Sequence, residues 1–142
     1  MERGAKMCYF LYGSINSGIN VKDYEKAIKN SKYYFNIGGK EEVNACVQNE
    51  GDEYRITSNI CDCETPLGSK YTNKKGLKEF ADLLSDLKSV RGIKHITISK
   101  NWVGEPNERE VTVHIDDIDL LHFLANIDER TFYTIELYKK YY

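Results

Sequence analysis

Cys61 and Cys63, two of the four cysteines in the chain, are separated by a single residue. They lie in residues 60–68, where a predicted strand gives way to a loop that contains proline and glycine. Thiolate sulfur is a preferred ligand of zinc and copper(I), and a Cys-x-Cys pair can reach one ion when the backbone turns between the two residues. The spacing is shorter than is usual in zinc sites, and the sequence has no second such pair. Any further ligands must therefore come from elsewhere in the fold.

One strand and two helices can be placed around the cysteines from the sequence. Residues 7–13 are a continuous apolar and aromatic run that is typical of a buried strand, and Asn20 can cap a helix after it. The clearest helix of the chain begins at Thr72 or Asn73, and Gly92 is placed to end it. Its apolar positions recur at helical spacing: Leu77, Phe80, Ala81, Leu84 and Leu87.

A hairpin is predicted between these two helices. Residues 43–48 and 53–60 both alternate in polarity and are joined by a short polar turn. Folding about that turn places Val47 opposite Tyr54 on an apolar face. The same register places Cys46 on the other face, away from the remaining cysteines.

The C-terminal third is predicted to continue with strand, strand, helix and strand. The predicted strands are residues 95–102, 111–115 and 132–138. Asp116 or Asp117 is expected to cap the helix that precedes the last of them.

The order of elements favours an α+β fold. Residues 7–102 read strand, helix, strand, strand, helix, strand, which is the order of a ferredoxin-like βαββαβ two-layer sandwich. A C-terminal β-α-β unit over residues 110–140 extends it, and residues 1–142 are expected to form one domain. In this topology the first and third strands are antiparallel neighbours in the centre of the sheet.

This topology brings three cysteines together. Cys8 begins the first strand, Cys61 and Cys63 follow the third, and antiparallel neighbours bring a start beside an end. Trp102 ends the fourth strand at the same place. We therefore expect Cys8, Cys61 and Cys63 to form a metal site, with zinc as the candidate ion. Cys46 would lie about 20 Å away, from the rise per residue of a strand.

Two other interpretations of the cysteines stay open. A metal site would need Asp62, Glu64, a histidine or water to complete it. The first other interpretation is a redox-active or nucleophilic cysteine. The carboxylates of Asp62 and Glu64 argue against it, because they disfavour the thiolate form that a reactive cysteine needs. The second other interpretation is structural. Cysteine is among the most buried residue types, so the cysteines could simply be part of the hydrophobic core.

A second possible site edge involves Trp102, His114 and Asp116. His114 and Asp116 lie in the terminal strand-helix-strand unit, where an imidazole and a carboxylate could act as acid and base. Whether the protein is an enzyme does not follow from the sequence, because no nucleophile motif accompanies them.

Composition narrows the possible partners. The net charge of -2 and the pI near 5.9 argue against a nucleic-acid binder. The sequence has no apolar run long enough to span a bilayer, so no membrane partner is expected, and the cysteine content favours a cytoplasmic protein. The alternative to metal or ligand binding is a non-enzymatic interaction module, which would bind another copy of itself through a sheet surface.

Overall fold

The computed structural model describes residues 9–17, 36–37, 49–50, 53–54, 56–57, 61–89, 93–102 and 105–138. They form an α+β fold with two α-helices. The strands are β1 (Tyr9–Ser17), β2 (Asn36–Ile37), β3 (Asn49–Glu50), β4 (Glu53–Tyr54), β5 (Ile93–Trp102), β6 (Arg109–His114) and β7 (Thr131–Glu136). The helices are α1 (Lys74–Lys88), a 3-10 turn (Ile115–Asp117) and α2 (Leu120–Ala125).

The main sheet is mixed, with the strand order β2-β1-β5-β7-β6. β5 is antiparallel to both of its neighbours, and it pairs with β1 from Tyr9 opposite Trp102 to Ser17 opposite Ile93. β6 and β7 are parallel to each other, as are β1 and β2. Consequently β1, β6 and β7 begin at the end of the sheet where β5 finishes. We call this the Tyr9 end.

One face of the sheet carries the apolar core. Alternate residues of β1, β5 and β7 are buried there because successive side chains of a strand point to opposite faces. The buried stripe of α1 and the residues Leu124 and Ala125 of α2 belong to the same cluster. Each such side chain contributes about 1.5–3 kcal/mol when it is fully buried. The strand residues in the cluster include Leu11, Ile15, Ile96, Ile98, Tyr133 and Ile135.

Helix α1 confirms the prediction from its periodicity. Asn73 is its N-cap, and the Asn73 side chain accepts a hydrogen bond from the Gly76 N–H at 2.9 Å. All five residues of the predicted apolar stripe are buried.

The ferredoxin-like topology is not confirmed, although the α+β class is. The predicted third strand is represented by β4, which pairs with β3 in a separate two-stranded sheet. Beyond β4, two backbone bonds of described residues join the chain to β1, from the Ile56 N–H to the Leu11 carbonyl at 3.0 Å and from the Asp62 N–H to the Tyr9 carbonyl at 2.9 Å. β7 lies between β5 and β6, so the C-terminal strands belong to the main sheet. The alternation of apolar and polar residues determines which face of a strand is buried, but it does not determine which strand lies beside it in the sheet.

Several boundaries differ from the predicted ones. The hairpin pairs Asn49 with Tyr54, two residues away from the predicted register of Val47 opposite Tyr54. The cap of α2 is Asp119, because Asp116 and Asp117 belong to the preceding 3-10 turn.

The helix predicted after Asn20 and the position of Cys46 lie outside the described residues. Among the helices of the described ranges, we find none with both the length and the apolar character needed to cross a membrane.

Candidate functional site

The segment with Cys61 and Cys63 is bound to the first residue of β1. The Asp62 N–H donates to the Tyr9 carbonyl at 2.9 Å, and the Tyr9 N–H donates to Cys63 Sγ at 3.5 Å. Cys8 precedes Tyr9 in the sequence and lies outside the described residues. The structure therefore brings the beginning of β1 to the cysteine pair.

The two sulfur atoms of the pair are close together. Cys61 Sγ and Cys63 Sγ are 2.7 Å apart, and both residues carry thiols. Cys63 is exposed and Cys61 is partly buried. The separation is longer than a disulfide bond of about 2.05 Å. It is shorter than the roughly 3.8 Å between two sulfur atoms on one tetrahedral zinc ion with bonds near 2.3 Å.

Asp62 between them points into the protein. The residue is only 2% exposed. One oxygen accepts the Leu11 N–H at 2.9 Å, and the other accepts the Thr57 hydroxyl at 2.7 Å. This arrangement argues against Asp62 as the residue that completes a metal site, because both carboxylate oxygens accept hydrogen bonds in the interior. Glu64, the other expected carboxylate, is exposed.

A group of polar and aromatic side chains gathers around Tyr9, the residue that is bonded to the cysteine loop. The Tyr9 and Trp102 rings have centroids 4.0 Å apart, and the Tyr9 hydroxyl donates to Glu129 at 2.6 Å. Lys100 Nζ lies 5.2 Å from the centre of the Tyr9 ring and donates to the Leu67 carbonyl at 3.2 Å. An ammonium, a carboxylate and two thiols thus share one end of the sheet.

The electrostatics of this end reflect its partial burial. Burial raises the pKa of Tyr9 to about 12, with further contributions from the hydrogen bond and charge of Glu129 and from the charges of Glu105 and Cys63. Burial lowers the pKa of Lys100, whereas Glu129 and Cys63 act in the opposite direction. Negative charge on Cys63 would therefore favour the protonated, cationic form of Lys100, and the Lys100 ammonium would favour that negative charge in return.

His114 and Asp116 do not join Trp102. His114 pairs with Glu136 at the opposite end of the sheet, because β6 runs parallel to β7 and antiparallel to β5. Its Nε2 donates to the Tyr138 carbonyl at 2.7 Å, and its Nδ1 accepts the Asp116 N–H at 3.1 Å. Both ring nitrogens of this buried histidine are thus used within the fold, which argues against the predicted acid and base pair.

A complete metal site is not contained in the described residues. Across those ranges, no group of three or more His, Cys, Asp or Glu side chains is arranged to hold an ion. Two of the three predicted ligands, Cys61 and Cys63, are adjacent at the Tyr9 end, and Cys8 lies outside the described residues.

Sequence reasoning missed three members of this group: Tyr9, Lys100 and Glu129. The sequence did indicate Lys100, because it lies two residues before Trp102 on the same strand and its side chain must therefore be on the same face of the sheet. The sequence also indicated Tyr9, because it directly follows Cys8, one of the predicted metal ligands. Glu129 has no local signal, because its position depends on how β7 pairs with β5.

The fold and this end of the sheet define a small α+β protein with a mixed sheet and a dithiol loop. No protein-family model, curated protein or solved structure matches the chain.

Proposed function

We propose that the protein binds a soft or borderline metal ion through Cys61 and Cys63, with Cys8 as the third thiolate and zinc as the candidate ion. The observation that carries this proposal is the pair of hydrogen bonds made by the Tyr9 backbone, one with the Asp62 N–H and one with the Cys63 sulfur, which hold the residue after Cys8 against the cysteine loop. Sulfur ligands from two separate segments are the usual construction of a protein zinc site.

The geometry supports the proposal in two ways. The sulfur atoms of Cys61 and Cys63 need to separate by about 1 Å to bind one tetrahedral ion, which a change of side-chain rotamer can supply. The Tyr9 N–H bond to Cys63 Sγ and the nearby Lys100 ammonium would offset the negative charge of a site with three thiolates.

The proposal is tested by zinc titration of the reduced, untagged protein against a chromophoric chelator. We expect one zinc ion per chain, and we expect Cys63→Ser to weaken binding at least tenfold, because replacing even a residue that only supports a ligand commonly costs about 10–100-fold in metal affinity. Cys46→Ser is the matched control and should bind like the wild type. Absence of stoichiometric zinc, or equal loss in both variants, would reject the site.

A second candidate function is reversible disulfide formation between the same two thiols, favoured by the 2.7 Å sulfur separation. A low-molecular-weight disulfide would be the oxidant. The exposed Cys63 sulfur attacks it and expels one thiol, and the Cys61 sulfur then attacks Cys63 and expels the second. The two electrons and the two thiol protons end on the released thiols.

Oxidation and metal binding are distinguished by mass spectrometry after treatment with oxidised glutathione. An intramolecular disulfide lowers the mass by two hydrogen atoms and makes both cysteines unreactive towards alkylating agents. A stable glutathione adduct on Cys63, with Cys61 still open to alkylation, would show that the pair does not close.

Self-association through a sheet surface finds less support. In the described part of the chain the exposed large hydrophobic side chains are Tyr71, Leu121 and Tyr138, and they lie on a loop, on α2 and after β7. None of the three belongs to a strand of the main sheet.

A further inference from the structure

A groove separates the loop before α1 from the start of α2, away from the thiols. It has a volume of about 530 Å³ and is lined by Tyr71, Lys74, Leu77 and Leu121. Pockets that hold small molecules commonly have volumes of roughly 300–1,000 Å³. The groove is therefore large enough for a small ligand.

The walls of the groove are mainly apolar. Leu77 is buried beneath it, whereas Tyr71 is 38% exposed and Leu121 is 40% exposed. These are two of the three exposed large hydrophobic side chains in the described ranges, and both border the same groove. An apolar chain or ring in the groove would cover them.

One wall carries a positive charge that no described residue neutralises in an ion pair. Lys74 is exposed at the first position of α1, and the first turn of this helix has no acidic residue. Lys78 pairs with Asp82 at 3.1 Å, but no described residue forms an ion pair with Lys74. The positive end of the helix dipole lies at the same place, so the local charge favours an anion.

The Tyr71 side of the groove is held in place. Lys70 and Tyr71 have φ angles of 57° and 74°, which place two consecutive non-glycine residues in the left-handed region. The Lys70 N–H donates to the Ala125 carbonyl at 2.7 Å, and the Tyr71 hydroxyl lies 3.0 Å from His122 Nδ1. These bonds to α2 and its C-terminal end fix the Tyr71 ring beside the groove.

We propose that this groove binds a small amphipathic anion, with its apolar part against Tyr71 and Leu121 and its carboxylate beside Lys74. The charge of Lys74 selects the anionic group, and the exposed apolar walls select the chain or ring attached to it. This site is independent of the proposed metal site, and no thiol takes part in it.

Binding can be tested by NMR titration of ¹⁵N-labelled protein with octanoate and, separately, with the neutral octanamide. We expect the amide shifts to concentrate around the four lining residues and octanoate to bind more tightly. Lys74→Gln should weaken octanoate about threefold, in keeping with an exposed charge pair, and leave octanamide unchanged. Lys75→Gln, at the neighbouring position outside the lining, is the matched control and should have no effect.

A second variant tests the apolar wall. Leu121→Ser, at an exposed position, should weaken both probes about fivefold through the loss of apolar contact. Equal affinity for octanoate and octanamide in the wild type, or no shifts with either probe, would overturn the proposal. It would also be overturned if light scattering showed a wild-type dimer that Leu121→Ser dissociates, because the groove would then be an interface between copies.

Discussion

Asp62 has a structural role between two residues with a proposed chemical role. At the scale of single residues, its buried carboxylate accepts hydrogen bonds from the Leu11 N–H and the Thr57 hydroxyl, and this anchors the loop between the two cysteines to β1 and to residue 57. We expect Asp62→Ala to lower the free energy of unfolding by about 2–4 kcal/mol, because buried donors lose a charged acceptor. Urea denaturation followed by circular dichroism measures the change.

The control for this variant is Glu64→Ala, two residues further along. Glu64 is exposed, so its replacement should change the free energy of unfolding by less than about 0.5 kcal/mol. A similar small effect of Asp62→Ala would contradict the structural role of its carboxylate.

Tyr9 provides a prediction about pH. Its pKa of about 12 depends first on burial and then on Glu129, which accepts its hydrogen bond. We expect Glu129→Gln to lower the pKa of Tyr9 towards the ordinary value of about 10, because the neighbouring negative charge is removed. The ¹³Cζ resonance of labelled tyrosine, assigned with Tyr9→Phe, reports this pKa. An unchanged titration would show that burial alone sets it.

The same shift has a consequence for stability. The neutral phenol is favoured in the folded state, so the contribution of Tyr9 is fully present below pH 10, the ordinary pKa of tyrosine. It decreases as the pH rises and is lost as the pH passes through about 12, the pKa in the folded protein. Tyr9→Phe should remove this part of the alkaline dependence.

At the scale of elements, replacing Gly76 of α1 by alanine shows whether helix propensity or packing has the larger effect on stability. Alanine is favoured over glycine in a helix interior by about 1 kcal/mol. A Cβ at Gly76 would, however, lie 2.9 Å from both the Asn73 cap oxygen and a Pro66 side-chain carbon. We expect Gly76→Ala to destabilise the protein by about 1–3 kcal/mol, because the proline ring and the cap must move apart.

Ser85→Ala, on the exposed face of the same helix, is the matched control for this test. It should stabilise the protein by a few tenths of a kcal/mol through propensity alone. Urea unfolding of both variants gives the comparison. If both substitutions stabilise the protein, then Pro66 and Asn73 move aside without lowering its stability.

The elements also show how far local sequence determines this fold. Helix α1 could be predicted because its cap and its apolar spacing are local properties. The start of α2 could not, since three acidic residues near it, Asp116, Asp117 and Asp119, are all suitable caps and only the chain path after β6 selects Asp119. The predicted hairpin register was wrong by two residues, and a shift by an even number of residues cannot be detected from the alternation of the sequence.

At the scale of the whole molecule, the candidate site depends on strand pairing that the sequence specifies poorly. Trp102 lies beside Tyr9 because β1 and β5 pair along their full length. His114 lies at the opposite end because β6 is parallel to β7, an arrangement that no local pattern predicts. The position of the cysteine loop beside β1 follows instead from bonds made by Asp62 and Tyr9.

Zinc binding at the proposed site would stabilise the whole fold, because the ligands come from the beginning of β1 and from a loop more than 50 residues later. A ligand at 100 times its dissociation constant stabilises the folded state by about 2.7 kcal/mol, which for this chain raises the unfolding midpoint by about 9 °C. Thermal unfolding of the reduced protein with and without zinc measures this shift. Magnesium, which prefers oxygen ligands, should have no effect, and Cys63→Ser should abolish the effect of zinc. A shift of the same size in Cys63→Ser would place the zinc elsewhere, and an unchanged wild-type midpoint would leave the thiols without a metal-binding role.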